Sequence, residues 1–409
     1  MPILGITNAR ILDVESGQVS EPQTISIKNG VIDKIDSQPP ADPTGFINAE
    51  GKFVSPGLID CHVHVLATTA DLARLGDESP FYLATRASQI MRDMLGRGFT
   101  TVRDAGGAEY GLAKAVLEDL VVAPRLFFGG KALSQTGGHA DMRNPGTSVY
   151  DSHQCCPHIG TICDGVDEVR KACRENIRTG ANHIKLMLSG GVASPTDRVD
   201  STQFSEQEIR AAVEEAEAAN IYVLGHAYTA KAVNRGLRLG VRSIEHGNLI
   251  DDESIRLFKE HDAFLVPTLV TYERLKIDGA ENGLPTESQA KVDVVLYSGL
   301  KALKRASEAG VSIAFGSDLL GSMHDHQSEE FRIRAKVQTS LDVLRSATTT
   351  AARLLGQEGR LGVVAEGAHA DLLILNENPA NDITILATPE KSISRVIKGG
   401  NPVHEAESN

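Results

Sequence analysis

A chain of 409 residues, 41% of them apolar and 23% charged, has the composition of a globular protein with a substantial core. The formal net charge of −13 argues against a nucleic-acid partner, which needs a basic surface, and no apolar run reaches membrane-spanning length, so no membrane partner is expected. Five cysteines exclude a disulfide framework; with no basic segment and signal-like apolar stretch at the amino terminus, a cytoplasmic location is expected.

Residues 3–56 alternate β-like runs with turns. Gly5-Ile6-Thr7-Asn8-Ala9-Arg10-Ile11 comes first, and then 24–28 and 31–35 flank Asn29-Gly30, a strong hairpin signal. From 58 to about 362 the pattern changes to short apolar strands alternating with longer amphipathic helices. Candidate strands are 58–64, 99–103, 126–129, 183–188, 221–226, 243–246, 263–267 and 312–317. One helix start is well marked: Ser205 can cap it, and Glu208 completes a capping box before Ile209, Ala212, Val213 and Ala216. Residues 370–375 and 393–397 read as strands again, with Lys398-Gly399-Gly400 as a turn. Both chain ends therefore look all-β. Eight β-then-α units in succession between them imply an α/β fold closed into a parallel barrel. A doubly wound open sheet is the runner-up, but no glycine-rich fingerprint follows the first strand.

Two segments stand apart from this alternation. The stretch His153-Gln154-Cys155-Cys156-Pro157-His158, with Cys163 downstream, matches no familiar zinc module; loop thiols and surface histidines are the better reading. The long segment 131–164 around it reads as an insertion-like loop on the catalytic side, able to close the pocket or contact a neighbouring subunit.

Catalytic groups of such barrels gather where strands end at their carboxyl side. The first strand ends in His62-Val63-His64. Alternation puts both imidazoles on one face. Burying them there calls for a metal ion or for a hydrogen-bonded core pair. The fourth strand carries Lys185 inside an apolar run; the fifth ends at Gly225-His226, the sixth at Glu245-His246-Gly247 and the eighth at Gly316-Ser317-Asp318. Each alone has an ordinary structural reading, a strand-end aspartate often being the next helix's N-cap. Their convergence on one rim favours a site. Lys185 discriminates further. A buried ammonium is unfavourable and has no lone pair for a metal, whereas a lysine made neutral by burial can react with carbon dioxide. The resulting carbamate is a carboxylate able to bridge two cations, and a hydroxide between two cations is a strong nucleophile at neutral pH.

The ordered set His62-x-His64, Lys185, His226, His246 and Asp318 closely resembles the amidohydrolase superfamily in its two-metal, carboxylated-lysine branch. The resemblance spans essentially the whole chain, from Ser55-Pro56-Gly57-Leu58-Ile59-Asp60 to Ala370-Asp371-Leu372-Leu373. It implies a distorted (β/α)8 TIM barrel over 57–365 and a small β-sandwich built from 1–56 and 366–409. It further implies two divalent metal ions, expected to be zinc in an imidazole-rich site, with manganese, cobalt or nickel as the alternatives. His62, His64 and Asp318 would hold the more buried ion and His226 and His246 the other, with carboxylated Lys185 bridging. Asp318 would also take a proton from the attacking hydroxide and pass it to the leaving amine.

Superfamily membership does not name the substrate. The segments Thr136-Gly137-Gly138-His139-Ala140-Asp141, Lys185-Leu186-Met187-Leu188-Ser189-Gly190-Gly191-Val192 and His226-Ala227-Tyr228-Thr229 look like the branch of metal-dependent prolidases and other dipeptidases. Related members hydrolyse N-acyl amino acids, including ochratoxin-type amides. The expected substrate is therefore a small molecule, an Xaa-Pro or related dipeptide or an N-acyl amino acid with an apolar C-terminal residue. His139 and Tyr228 are expected to donate hydrogen bonds to the developing oxyanion or the substrate carboxylate, and Arg143 and Arg198 are weaker carboxylate-clamp candidates. Lactone, carbamate or phosphotriester hydrolysis would use the same metals. A mononuclear deaminase or a non-enzymatic scaffold is disfavoured by Lys185 and by the complete ligand set. Because relatives commonly assemble, a homo-oligomer is expected.

Overall fold

The computed structural model describes residues 3–143, 146 and 158–406. Strands from both chain ends share one eight-stranded sheet. Phe53–Pro56 lies between Gly5–Ile11, which it meets in parallel, and Leu372–Leu375, which it meets antiparallel. Ile6, Ile25, Val54, Leu372, Ile374 and Ile397 bury one another in this sheet's own apolar cluster. The Asn29-Gly30 hairpin forms as its sequence predicts. Both residues take positive φ (54° and 75°), which asparagine and glycine tolerate, and they join Gln23–Lys28 to Val31–Asp36.

The middle of the chain is α/β with parallel strands. Leu58–Val63, Phe99–Asp104 and Arg125–Phe128 form one sheet. A second runs Gly160–Ile162, Ala132–Ser134, His183–Met187, Tyr222–Thr229, Ser243–Leu249, Phe264–Val266, Ser312–Ile313. The three-stranded sheet bonds to the second from both of its own edges. Asn182 N–H donates to Phe128 O at 2.8 Å, and Cys61 N–H donates to Phe315 O at 2.8 Å. Every residue of Leu58–Val63, Phe99–Asp104 and His183–Met187 is buried, as expected of parallel strands covered on both faces. Ser205 caps Glu206–Ala218 through the expected capping box, and Ile209, Ala212, Val213 and Ala216 are among that helix's buried residues.

Three sequence expectations change. The third strand is split: Arg125–Phe128 pairs with Phe99–Asp104, and after Gly129-Gly130 the chain resumes as Ala132–Ser134 against His183–Met187. The eighth strand keeps ladder geometry only over Ser312–Ile313, beyond which its backbone bonds to the first strand; Asp318 N–H donates to His62 O at 2.8 Å. The 131–164 segment is not a plain loop, since Ala132–Ser134 and Gly160–Ile162 pair in parallel at its two ends. Cys155 and Cys156 lie outside the described residues. Cys163 is a loop thiol, as expected, but a buried one, pushed up to about 12 by its burial.

Candidate functional site

His62, His64, Lys185, His226, Tyr228, His246 and Asp318 line one small cavity of about 50 Å³. Its geometry follows from strand register. Met187 pairs with His226 and His226 with Glu245, so successive strands end at one level. Two of the polar groups sit on left-handed backbone, His246 at φ 75° and Asp318 at φ 55°. Side chains rarely adopt that conformation, and backbone strain of this kind concentrates at functional sites.

The donor set can be read atom by atom. His62 Nδ1–H donates to Glu245 Oε2 at 2.6 Å, and His64 Nδ1–H donates to Gly106 O at 2.8 Å. In a neutral imidazole that leaves Nε2 as a lone pair. Both Nε2 atoms face Asp318 Oδ1, at 3.4 Å and 3.3 Å. Three acceptors converging without a donor repel one another, and a cation between them removes that conflict. His246 joins this group: ligand atoms of His62, His246 and Asp318 all lie within 4.8 Å of one another. His226 Nε2–H donates to Gly190 O at 3.2 Å, leaving Nδ1 as its lone pair. Ring contacts of 5.0 Å between His62 and His246 and 4.6 Å between His226 and His246 make a continuous imidazole cluster.

Electrostatics agree with that donor set at His226, His246 and Lys185. Burial holds His226 and His246 well below the ordinary histidine range, reinforced by neighbouring imidazoles and Lys185, so both are neutral. Burial pushes the Lys185 ammonium down to about 8, against the pull of Glu245 and Asp318. A neutral amine is therefore accessible near neutral pH. Burial opposes ionisation of both Asp318 and His64, yet with a proton between them Asp318 raises His64 above the ordinary histidine range and His62 and His64 hold the Asp318 carboxyl well below its own; a divalent cation would take that proton's place. Neutral imidazoles, a carboxylate and a reactive amine fit divalent cations.

Behind the cavity is an arrangement that the strand-end pattern does not announce. Arg103 is fully buried, and its Nη2 donates to Glu245 Oε1 and Oε2 at 2.8 and 2.9 Å. Its other donors reach Cys61 O, Tyr222 Oη and Ser243 Oγ. Burial opposes ionisation of Glu245, but Arg103 and His62 keep its carboxyl well below the usual range. The chain Arg103–Glu245–His62 thus fixes the tautomer of a candidate ligand. A charged residue inside the strand Thr101-Val102-Arg103-Asp104 was the available signal. It is the same signal that singles out Lys185.

The candidate substrate groups divide. His139 and Tyr228 line the cavity. The His139 ring stacks on His226 at 4.1 Å, and Tyr228 Oη accepts from Tyr272 Oη–H at 3.1 Å. Tyr272 also lines the cavity, and Thr268 Oγ1 lies 2.7 Å from His246 Nδ1; no sequence motif marks either residue. The structure does not bring the two arginines to the cavity. Arg198 is 80% exposed and bidentate on Asp200, two residues away. Arg143 grips Asp141 in the same local way. Leu72, Met142, Ile159, Met187, Val192 and Leu275 supply an apolar wall. A larger cavity of about 810 Å³, between helices Pro80–Gly96, Tyr110–Leu117 and Val166–Arg178, contains none of the candidate ligands.

Comparison with known proteins agrees with the geometry. The sequence profile of the amidohydrolase family matches residues 53–403. Ochratoxinase of Aspergillus niger is 34% identical over 373 residues, covering 84% of this chain and 74% of the relative. A prolidase solved with N-methylphosphonate-L-proline superposes with a TM-score of 0.95 at 48% identity, covering 98% of this chain and 99% of the other. A Xaa-Pro dipeptidase solved with methionine in its active site gives 0.88 at 30% identity, covering 98% and 99%. The chain belongs to the amidohydrolase family and is a hydrolase acting on carbon–nitrogen bonds.

Proposed function

We propose that this enzyme cleaves the amide bond of Xaa-Pro dipeptides, related dipeptides and N-acyl amino acids whose C-terminal residue is apolar. The proposed centre is two divalent ions, most simply zinc, held by His62, His64, His226, His246, Asp318 and carboxylated Lys185. The proposed scaffold is a distorted (β/α)8 barrel over 57–365 beside a β-sandwich from 1–56 and 366–409. The observation that carries the reading is the convergence of the His62 and His64 Nε2 lone pairs on Asp318 Oδ1. The relatives named above support the substrate class, and so does the apolar wall of the cavity.

Bound divalent cations supply Lewis acidity and acidify water. The chain's own residues do the rest. Asp318, as a carboxylate, accepts the proton that the attacking water gives up as the new C–O bond forms. It then delivers that proton to the amide nitrogen as the C–N bond breaks, so the products are a carboxylic acid and an amine, and the acid's remaining proton passes to the amine or to solvent to leave a carboxylate. Tyr228 and His139 sit at the cavity edge, where they orient the scissile carbonyl or the C-terminal carboxylate. Arg103 and Glu245 keep His62 in the tautomer that presents Nε2. The small cavity excludes bulk water.

The test is a metal and substrate pair. Elemental analysis of purified active enzyme should give two transition-metal ions per chain, and a panel of glycyl-L-proline, alanyl-L-proline and N-acetyl-L-phenylalanine should be turned over. Active enzyme free of transition metal, or no turnover of any of the three, would overturn the proposal.

A further inference from the structure

Lys291 lies on the helix Thr286–Glu308, which carries none of the candidate ligands, and its Nζ serves a single distant segment. It donates to Gly191 O at 3.2 Å, Ser194 O at 2.8 Å and Asp197 O at 2.7 Å, and it lies 3.4 Å from Asp197 Oδ1. An ammonium has three hydrogens, and three carbonyls of one short segment take them. A surface lysine normally keeps its head in water; this one is only 18% exposed.

The segment it holds leads to the catalytic cavity. Asp197 Oδ2 accepts from Gly191 N–H at 3.1 Å and from Gln203 Nε2 at 3.0 Å, and Asp197 Oδ1 accepts from the Ser194 hydroxyl. Ser194 Oγ in turn lies 2.8 Å from His139 Nδ1. His139 is held from its backbone too, donating N–H to Gln203 Oε1 at 2.9 Å. A Cβ on Gly191 would stand 2.0 Å from the His139 ring, so segment and ring are in direct contact. A continuous path therefore runs from Lys291 through Asp197 and Ser194 to a ring that lines a cavity of only about 50 Å³. In so small a space a slight displacement of His139 changes what fits.

We propose that Lys291 is a positioning residue for substrate binding: by fixing the 190–197 segment it fixes the His139 imidazole at the cavity edge. The inference rests on the proposed reading of His139 as a substrate-binding group. It places the residue's effect on substrate affinity rather than on metal loading.

Three proteins test it: wild type, Lys291→Met and Lys291→Arg, each metal-reconstituted and assayed with glycyl-L-proline and N-acetyl-L-phenylalanine. Lys291→Met should raise KM by about tenfold or more, the size of effect carried by a charge-assisted hydrogen-bond network. Its kcat should change far less, metal content should equal that of wild type, and Lys291→Arg should recover much of the KM. Hydrogen–deuterium exchange, which needs no turnover, should be faster over 189–203 in Lys291→Met and unchanged over 243–249. An unchanged 189–203 segment overturns the proposal whatever the substrate. So does an unchanged KM, or a loss of metal that accounts for the lost activity. Failure of wild type to turn over either substrate overturns the functional reading, and the substrate role of Lys291 falls with it.

Discussion

The buried pair Arg103–Glu245 allows the sharpest quantitative test of how this site is built. Glu245→Gln removes one charge and almost no volume. Arg103 is 0% exposed and cannot turn to water; its two contacts to Glu245, at 2.8 and 2.9 Å, are its only ones to a carboxylate among the described residues. Leaving a buried guanidinium uncompensated costs about 3–5 kcal/mol. A second effect falls on His62, whose Nδ1–H sits 2.6 Å from Glu245 Oε2. A glutamine can present its N–H₂ there and favour the wrong tautomer, and loss of such a partner lowers metal affinity by about 10–100-fold.

The two effects separate in a double substitution. Arg103→Met with Glu245→Leu removes both charges and fills the space with apolar atoms, so stability should return most of the way to wild type. Metal affinity should not return, because His62 still lacks its acceptor. Urea unfolding of the metal-free proteins, followed by far-ultraviolet circular dichroism, measures the first quantity; zinc competition against a chromophoric chelator measures the second. A Glu245→Gln protein as stable as wild type would refute the buried-charge argument. A double variant with wild-type zinc affinity would refute the tautomer argument.

Three further outcomes follow from the same geometry. Lys185→Ala should lose most activity and regain part of it with added short carboxylic acids that replace the missing carbamate, as read by steady-state assay with and without propionate; full activity without added acid would exclude a bridging role. Arg198→Ala should leave kcat/KM unchanged, because the side chain is 80% exposed and engaged with Asp200; a tenfold fall would bring it back as a carboxylate clamp. Stability should also fall on acidification, because burial pushes both His183 and His324 down to about 3. Below the unfolded value of about 6.5 the unfolded chain takes up protons that the folded chain refuses, so stability present above that pH is lost as the pH falls toward 3. At pH 5 the loss is about 2 kcal/mol per histidine, readable as a drop in the urea midpoint between pH 7 and pH 5.

What the sequence discloses about the site depends on whether a residue conflicts with its local pattern. Lys185 stands in an apolar strand and His62 and His64 share one face of another, so the linear pattern alone demands an explanation for each. The hairpin at Asn29-Gly30 and the capping box at Ser205 are legible for a related reason: their determinants lie within four residues of one another. The splitting of the third strand at Gly129-Gly130 is not, since what it accommodates lies elsewhere. A Cβ on Gly129 would meet the His183 ring at 2.6 Å and one on Gly130 the Asn176 side chain at 2.6 Å.

The residues that lie outside the cavity, and those that no motif marks, follow the same physics. Arg198 and Arg143 were candidates for a ligand's carboxylate because nothing in a linear pattern marks an arginine as already occupied. Each has an aspartate two residues away, and a nearby partner needs little chain entropy to find. Arg103 and Glu245 meet across 142 residues, and Lys291 reaches Asp197 across 94. Pairings of that span belong to topology, which sets which strand ends and helices face one another, and no local period encodes them. The candidate ligands are readable because strand ends of successive parallel β-then-α units converge by rule. The groups that hold those ligands in place obey no such rule. For this protein the difference between the proposed metal centre and a specific enzyme lies in them, and that is why Lys291 and Glu245 carry more information than another substitution among the histidines would.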